Sequence, residues 1–379
     1  MSVYGLRLAH LIESDGPGGA ERMVASLAAS LQAGGVENIV VAPADGEGWL
    51  ARELRGTGVR MELFPRLDRP FSPALARWLS ATLLRNRIAL AHSHEFTMAV
   101  YGAWAARRAG IPHLFTMHGS RYYAARLQRR LAMRVAAGIS GSVVAVSKSL
   151  AQHLSRDLWL RASRIATIPN GAALTPVAQS SLRGELRLEP GDQLALAVGN
   201  LYPVKGHRHL LEAFGLLAQR FPRLHVAVAG RGDLEAPLRA RAHALEVGDR
   251  FHVLGLRSDM ANVLAGADVF VLPSLSEGLP LALVEAMLAA RPIVASAVGE
   301  VGTVLNGGSS HAGLLVPPGD APALANALAQ VLSNPAEARD LAAAAARRAE
   351  DYTLAKMTER YVVLYTSLLR RIEPAGESC

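Results

Sequence analysis

The chain has 379 residues, half of them apolar and 19% charged, with a formal net charge of +8. That length exceeds one ordinary core and suits two domains, and the composition excludes a disordered chain. The single cysteine, Cys379, excludes a disulfide framework or a cysteine-based zinc site within one chain and fits a reducing cytoplasm.

The opening MSVYGLRLAHLIESDGPGG lacks a basic segment followed by a clean apolar run, so no secretory signal is expected. Its strand-like LRLAHLI meets a Gly-rich loop at residues 16–19, and a helix is predicted from about Ala20. Glycines there let backbone N–H groups approach an anion at a helix N-terminus. A dinucleotide fingerprint fails on spacing, because Glu21 stands where the third glycine of G-x-G-x-x-G belongs. Short apolar runs follow, NIVVAP, RMELF, IALAH, HLFTM, SVVAV and RIATIP, separated by helical patterns. Continuous apolar strands alternating with helices mark a parallel sheet covered on both faces.

The positive charge is concentrated in this half: residues 1–175 carry net +10 and the remainder net −2. No acidic residue lies between Glu95 and Asp157. Within that interval SRYYAARLQRRLAMRVAAG reads as one basic helix, with Tyr122, Tyr123, Leu127, Leu131 and Val135 beside Arg121, Arg126, Arg129, Arg130 and Arg134. Such a helix suits an anionic membrane surface, where each cation contributes about 1 kcal/mol. The competing reading is a solvated basic helix packed on its domain by the apolar stripe. Nucleic acid is not expected, since no recognised module accompanies the charge. The uncharged residues 135–147 are too few to cross a bilayer, so a soluble, cytoplasmic protein is expected, with a peripheral contact on the inner face of the membrane as its open question.

Periodicity lapses at NGAALTPVAQSSLRGEL, which sets a boundary between domains over 1–178 and 179–354. The runs LALAVG, LHVAVAG, FHVLG, VFVLP, PIVAS and GLLVP then repeat the alternation. The fold class is therefore α/β, with two doubly wound, Rossmann-like parallel sheets. Past Pro335 the chain reads as helical, with a break near residues 351–354, and no repeat of solenoid period is present.

Doubly wound sheets bind ligands beyond the carboxyl ends of their strands. AVGNLYPVKGHRHLLEAF places Lys205 on a loop before a helix, where a lysine can neutralise a diphosphate. VAVAGRGDL adds Gly230, Arg231 and Gly232 at the next strand end. VFVLPSLSEGLPLALVEAM turns through residues 273–278 and opens a helix with Pro280 at its first position. Glu277 falls on that loop, while Glu285 falls inside an otherwise apolar helix, where a carboxylate is costly without a hydrogen-bond partner. Vicinal hydroxyls of a ribose would be one. His118, followed by Gly119 on a first-domain loop, reads as functional; His10 and His94 read as core or supporting residues, and the other histidines lack metal-ligand spacing.

Taken together, these segments resemble the retaining, nucleotide-sugar-dependent glycosyltransferases of family four, which have the GT-B fold. The resemblance covers nearly the whole chain and rests on GGAER (18–22), TMHG (116–119), VSKSL (146–150), IPNG (168–171), VGNLYPVKG (198–206), GRGDL (230–234), SEGLPLALVEAM (276–287), PIVAS (292–296) and GLLVPPGD (313–320). Glu277 and Glu285 form its E-x7-E signature. The resemblance implies transfer of a sugar from a UDP- or GDP-sugar to a glycan or lipid-linked glycan, such as an undecaprenyl-diphosphate saccharide or lipopolysaccharide precursor, in envelope or exopolysaccharide synthesis.

By the same resemblance Glu285 would hold the donor ribose, Glu277 the hydroxyls of the donor sugar, and Lys205 the leaving diphosphate. Gly278, Leu279 and Pro280 would complete the donor loop. Gly18 and Gly19 would let the first domain approach the diphosphate or the acceptor, and His118 would lie near the transferred sugar. No metal and no cofactor would be needed, the two domains would face each other across a cleft, and the helix over 355–379 would cross back onto the first domain. One position departs from the pattern: Asn200 stands where many relatives carry arginine, so Arg231 or another cation would supply that charge. With both glutamates committed to hydroxyls and no second carboxylate motif, front-face attack is expected rather than double displacement. An epimerase of the same fold, or a catalytically silent nucleotide-sugar-binding subunit, is the alternative.

Overall fold

The computed structural model describes residues 5–65, 72–119, 121–124, 126–307 and 311–371. Cys379 and the rest of the 372–379 tail, which the sequence assigned to the returning helix, lie outside the described residues. The chain divides into two compact units, one of Met1–Gly171 with Leu354–Cys379 and the other of Ala172–Thr353, where the sequence pattern put the change at 178/179.

Unit 1 is built on seven strands: β1 (Arg7–Leu11), β2 (Glu37–Pro43), β3 (Arg60–Phe64), β4 (Leu90–His94), β5 (His113–Met117), β6 (Ser142–Ala145) and β7 (Ile165–Thr167). Their order is β3-β2-β1-β4-β5-β6-β7, and every pairing is parallel. Burial on both faces explains why the inner strands β1, β2, β4, β5 and β6 read as largely apolar runs, whereas the edge strands β3 and β7 are partly exposed. One face packs Leu8, Leu90, Leu114 and Val144 against Met23 and Leu27 of the helix Gly19–Ala33 and against Tyr361 and Tyr365 of the helix Leu354–Arg370.

The returning helix is fastened by a buried polar chain. Tyr365 Oη lies 2.7 Å from His92 Nδ1, His92 Nε2 lies 2.8 Å from Thr116 Oγ1, and Thr116 Oγ1 lies 3.0 Å from Tyr361 Oη. Two phenols, an imidazole and a hydroxyl satisfy one another inside the core, which is the condition under which buried polar groups cost little.

Unit 2 repeats the plan with β8 (Gln193–Val198), β9 (Leu224–Ala229), β10 (Phe251–Gly255), β11 (Val269–Leu272), β12 (Ile293–Ser296) and β13 (Leu314–Val316), in the order β10-β9-β8-β11-β12-β13. The two-residue period of a strand divides its core: Leu194 and Leu196 enter one apolar cluster, Ala195 and Ala197 the other. No helix among the described residues is long and apolar enough to cross a membrane.

Candidate active site

The strand order places unit 2's change of winding between β8 and β11, the crevice where open α/β sheets bind ligands. The loop after β8 carries Asn200 and Lys205 and ends at Gly206, the N-cap of the helix His207–Leu217. The loop after β11 carries Ser274 and Glu277 and ends at Pro280, the N-cap of the helix Leu281–Leu288. Pro280 thus stands one position before the helix, where the sequence placed it at the first helical residue. Neither helix has a side-chain cap, so first-turn N–H groups lie open to an anionic ligand.

The two loops are welded by close backbone contact. Gly206 has φ +68, and a Cβ built on it would fall 2.0 Å from the Pro273 carbonyl oxygen. Leu275 N–H donates to the Val204 carbonyl at 2.8 Å. A third loop, after β12, joins through Gly299, whose φ is +52 and whose Cβ would fall 2.0 Å from the Glu277 carbonyl oxygen. Only glycine fits either contact at these backbone angles.

On this frame Lys205 Nζ donates to Glu277 Oε1 at 2.7 Å, and Ser274 Oγ donates to the same oxygen at 2.7 Å. The Glu277 side chain is 9% exposed and that of Lys205 28%. Glu285 lies half-buried in the helix Leu281–Leu288, two turns beyond Glu277, while Asn200 is half-buried and Arg231 exposed. His207, with its pKa pushed down to about 4 by burial, hydrogen-bonds the Gly199 carbonyl at 3.2 Å and steadies the first loop. Ser274 and His207 were not distinguished in the sequence, because neither a serine three residues before Glu277 nor a histidine bonded to a backbone carbonyl leaves a spacing signal.

In unit 1 the helix Gly19–Ala33 begins after Gly18 without a side-chain cap. The Glu21 carboxylate occupies the space above Gly18, where a built Cβ would lie 2.3 Å from Oε2. A carboxylate there opposes an anion at this helix N-terminus. His118 follows β5, and its ring stacks on that of His94 with centroids 5.8 Å apart. Burial pushes the His118 pKa down to about 4.

His10, His92 and His94 each bring a ring nitrogen within 4.8 Å of the others. Both nitrogens of His92 are taken by Tyr365 and Thr116, so that trio does not present three free lone pairs to a metal.

The basic segment departs from the sequence reading. It forms two helices, Arg121–Ala124 and Leu127–Ile139, with Arg126 extended between them at φ −141 and ψ 132. Met133, Ala136 and Ala137 face the core, whereas Leu127, Leu131 and Val135 are 60%, 48% and 49% exposed. Arg130, half-buried, and Arg134, exposed, are held by the segment 157–159: Arg130 Nε donates to the Asp157 carbonyl at 3.1 Å, Arg134 to the carbonyls of Leu158 and Trp159 at 2.6 and 2.8 Å, and both guanidinium groups lie over the Trp159 ring.

Two Rossmann-like units with a cation, a carboxylate and open helix ends at a strand switch define a transferase of the GT-B fold. Anabaena HepE in complex with UDP-glucose has that fold, superposing with a TM-score of 0.82 over 96% of this chain and 100% of that one at 23% identity. Residues 17–175 match the profile of Glycosyltransferase Family 4 and residues 179–348 that of Glycosyl transferases group 1. The chain is 29% identical to the phosphatidyl-myo-inositol mannosyltransferase of Mycobacterium leprae, over 93% of this chain and 94% of that protein. It is 26% identical to the UDP-Gal:alpha-D-GlcNAc-diphosphoundecaprenol alpha-1,3-galactosyltransferase of Escherichia coli, over 66% and 67%. The chain belongs to glycosyltransferase family 4, and it is an enzyme of that class.

Proposed function

We propose that this glycosyltransferase moves a sugar, with retention at its anomeric carbon and without a metal, from a nucleoside-diphosphate sugar to a hydroxyl of a glycan or lipid-linked glycan. The observation that carries this reading is the Lys205–Glu277 pair at the β8/β11 switch, framed by two uncapped helices. Lys205 would neutralise the departing diphosphate, with Arg231 as a nearby cation where Asn200 supplies none. Fixed cations and helix amides aimed at developing charge can do the work of a metal. Glu277, held by Lys205 and Ser274, would receive hydroxyls of the donor sugar, and Glu285 those of the ribose. With both carboxylates so engaged, the acceptor attacks on the face the diphosphate leaves. HepE's complex with UDP-glucose favours a UDP-sugar for this chain.

The test is binding and slow hydrolysis across UDP-, GDP- and ADP-sugars with EDTA present, wild type against Glu285→Ala. Binding of one donor in EDTA, abolished in the variant, supports the reading. Failure of every donor to bind would overturn the reading, binding without hydrolysis or transfer would favour the silent-subunit alternative, and loss of binding on EDTA addition would remove metal independence.

The exposed row of Leu127, Leu131 and Val135, one turn apart along the helix Leu127–Ile139, supports a peripheral membrane contact. Arg126 and Trp159 are exposed beside it. Apolar side chains with basic neighbours match an anionic interface, which suits a lipid-linked acceptor such as the diphosphoundecaprenol glycan of the Escherichia coli relative.

A further inference from the structure

In unit 1 the winding changes between β1 and β4, so this crevice is that sheet's ligand position. The segments leaving β1, β4 and β5 bring groups there that donor chemistry leaves unused. Glu13, just past β1, accepts the Thr97 N–H at 2.8 Å. Glu95 opens the helix Glu95–Ala109 at φ 65, and its carboxylate accepts the backbone N–H of His118. Glu95 and Glu13 are half-buried and reachable, whereas His10 and His94 are fully buried behind them.

The imidazoles do not balance. His10 Nδ1 and His94 Nε2, 3.4 Å apart, share one hydrogen bond. His10 Nε2, His94 Nδ1 and both ring nitrogens of His118 have no partner among the described residues, although all are shielded from solvent. Burial keeps these rings neutral, and a neutral imidazole has one N–H and one lone pair. Whatever the tautomers, two N–H donors and two lone pairs are left over. Unpaired buried polar groups are costly, so their presence points to a ligand that both donates and accepts.

That ligand is not an anion. Glu13 and Glu95 are raised first by burial, and the neighbouring carboxylates add to it, Glu21 on Glu13 and both Glu13 and Glu21 on Glu95; a phosphate would add to that negative charge and be repelled. A metal ion would use the lone pairs but meet the N–H groups head-on. A neutral hydroxyl satisfies both kinds of group.

We propose that Glu95 and His118 hold the attacking hydroxyl of the acceptor, a neutral polyol such as a sugar or cyclitol ring: the hydroxyl donates to the Glu95 carboxylate and accepts from the His118 ring. This assignment rests on the transferase reading above. During transfer the acceptor O–H bond breaks as its oxygen bonds the anomeric carbon. The bond from that carbon to the diphosphate breaks, its electron pair leaves with the diphosphate oxygen, and that oxygen takes the proton. Glu95 holds and orients the hydroxyl throughout. Any phosphate or lipid of the acceptor lies away from the three carboxylates.

The experiment uses the full chain, the donor found in the panel above, and myo-inositol and octyl glycosides as acceptor probes. Assayed near pH 9, above the value of about 8 to which Glu95 is pushed and so with its carboxylate ionised, Glu95→Gln should lower kcat/KM for transfer to the best probe roughly ten- to a hundredfold, the loss of one hydrogen bond to a charged group, with donor affinity at the wild-type value. Glu95→Gly separates contact from fold: glycine is at ease at φ 65, so this variant should melt no lower than wild type yet transfer as poorly as Glu95→Gln. Wild-type transfer rates in both variants would overturn the proposal, as would a wild type that hydrolyses its donor but glycosylates none of these neutral probes. A wild type that binds no nucleotide sugar would instead overturn the reading beneath it, and donor titration alone reveals that.

Discussion

Lys205 Nζ and Ser274 Oγ both donate to one oxygen of Glu277, each at 2.7 Å, although the lysine lies 72 positions away in sequence. The carboxylate is therefore fixed before any ligand arrives, and the cation beside it is positioned by an anion that the protein itself supplies. Removing either partner exposes a different weakness.

Lys205→Ala should leave the Glu277 carboxylate nearly buried, with Ser274 as its remaining side-chain partner among the described residues. We expect a stability loss of about 1–3 kcal/mol, the cost of an orphaned polar group, and a fall in kcat of roughly a hundred- to a thousandfold, the scale of losing one preorganised charge-stabilising group. Lys205→Ala/Glu277→Gln should be more stable than Lys205→Ala alone while remaining inactive. Chemical denaturation of the four proteins in a double-mutant cycle reads the first effect and single-turnover transfer the second. Additive stability losses would mean that the pair is not coupled.

Gly206→Ala and Gly299→Ala should separate loop geometry from chemistry. Each adds a methyl group to a carbonyl oxygen 2.0 Å away, at positive φ. The loops must part, at a cost of about 1–3 kcal/mol. Donor affinity should fall in both variants even though neither residue offers a side chain to the ligand, and far-ultraviolet circular dichroism should stay native. Donor titration calorimetry checks this; unchanged affinity in both would show that the weld does not shape the site.

The inner strands were legible because both of their faces are buried, so HLFTM reads as a strand from composition alone; the edge strand RMELF, with Arg60 and Leu63 exposed, was legible through its place in the alternation with helices, from which the fold class also followed. The carboxylates of unit 1 were not legible. Glu13 and Glu95 are isolated in sequence and meet only because β4 lies beside β1, a pairing that no local period encodes. The helix Leu127–Ile139 shows the limit of periodicity itself: its large apolar row looks core-facing, but the core takes Met133 with Ala136 and Ala137, the two alanines allowing close packing. The E-x7-E spacing gave both glutamates, but Ser274, which holds Glu277, required the folded loop.

Acid should unfold the protein early. Burial lowers the pKa of His10 and His118 to about 4 and of His113 to about 3, and moves His92 and His94 well below 6.5. A histidine with a depressed folded pKa gives stability that is complete above about 6.5 and is lost as pH falls toward the folded value, by up to about 1.4 kcal/mol per pH unit for each ring. Glu13 and Glu95 act the other way: with Glu95 pushed up to about 8 by burial and by the charge of Glu13, its contribution is lost as pH rises from the usual carboxylate range through 8. These five rings, joined by His207, His225 and His252 of unit 2, whose pKa values are also lowered chiefly by burial, outweigh the two carboxyls and give a net loss on acidification. Urea denaturation between about pH 7 and pH 5 should show unfolding free energy falling steeply with acid, and Glu95→Gln should flatten the alkaline limb alone. A flat profile below pH 6.5 would contradict neutral burial of these rings.

The exposed row on the helix Leu127–Ile139 makes the membrane reading separable from stability. Leu127, Leu131 and Val135 are 60%, 48% and 49% exposed, so replacing all three with serine removes little packing, and surface substitutions of this kind usually change stability by no more than about 0.5 kcal/mol each. If the row enters a lipid interface, the loss of apolar burial should release the protein from vesicles containing anionic lipid. Arg126→Ala should weaken binding further and make the remainder less sensitive to salt, since each exposed cation contributes about 1 kcal/mol near such a surface. Arg130→Ala and Arg134→Ala should behave differently, lowering the melting temperature through their lost carbonyl and Trp159 contacts. Vesicle flotation with and without anionic lipid, alongside thermal melts, distinguishes the two sets of arginines. Equal flotation of wild type and the triple serine variant would assign the row to a contact other than lipid.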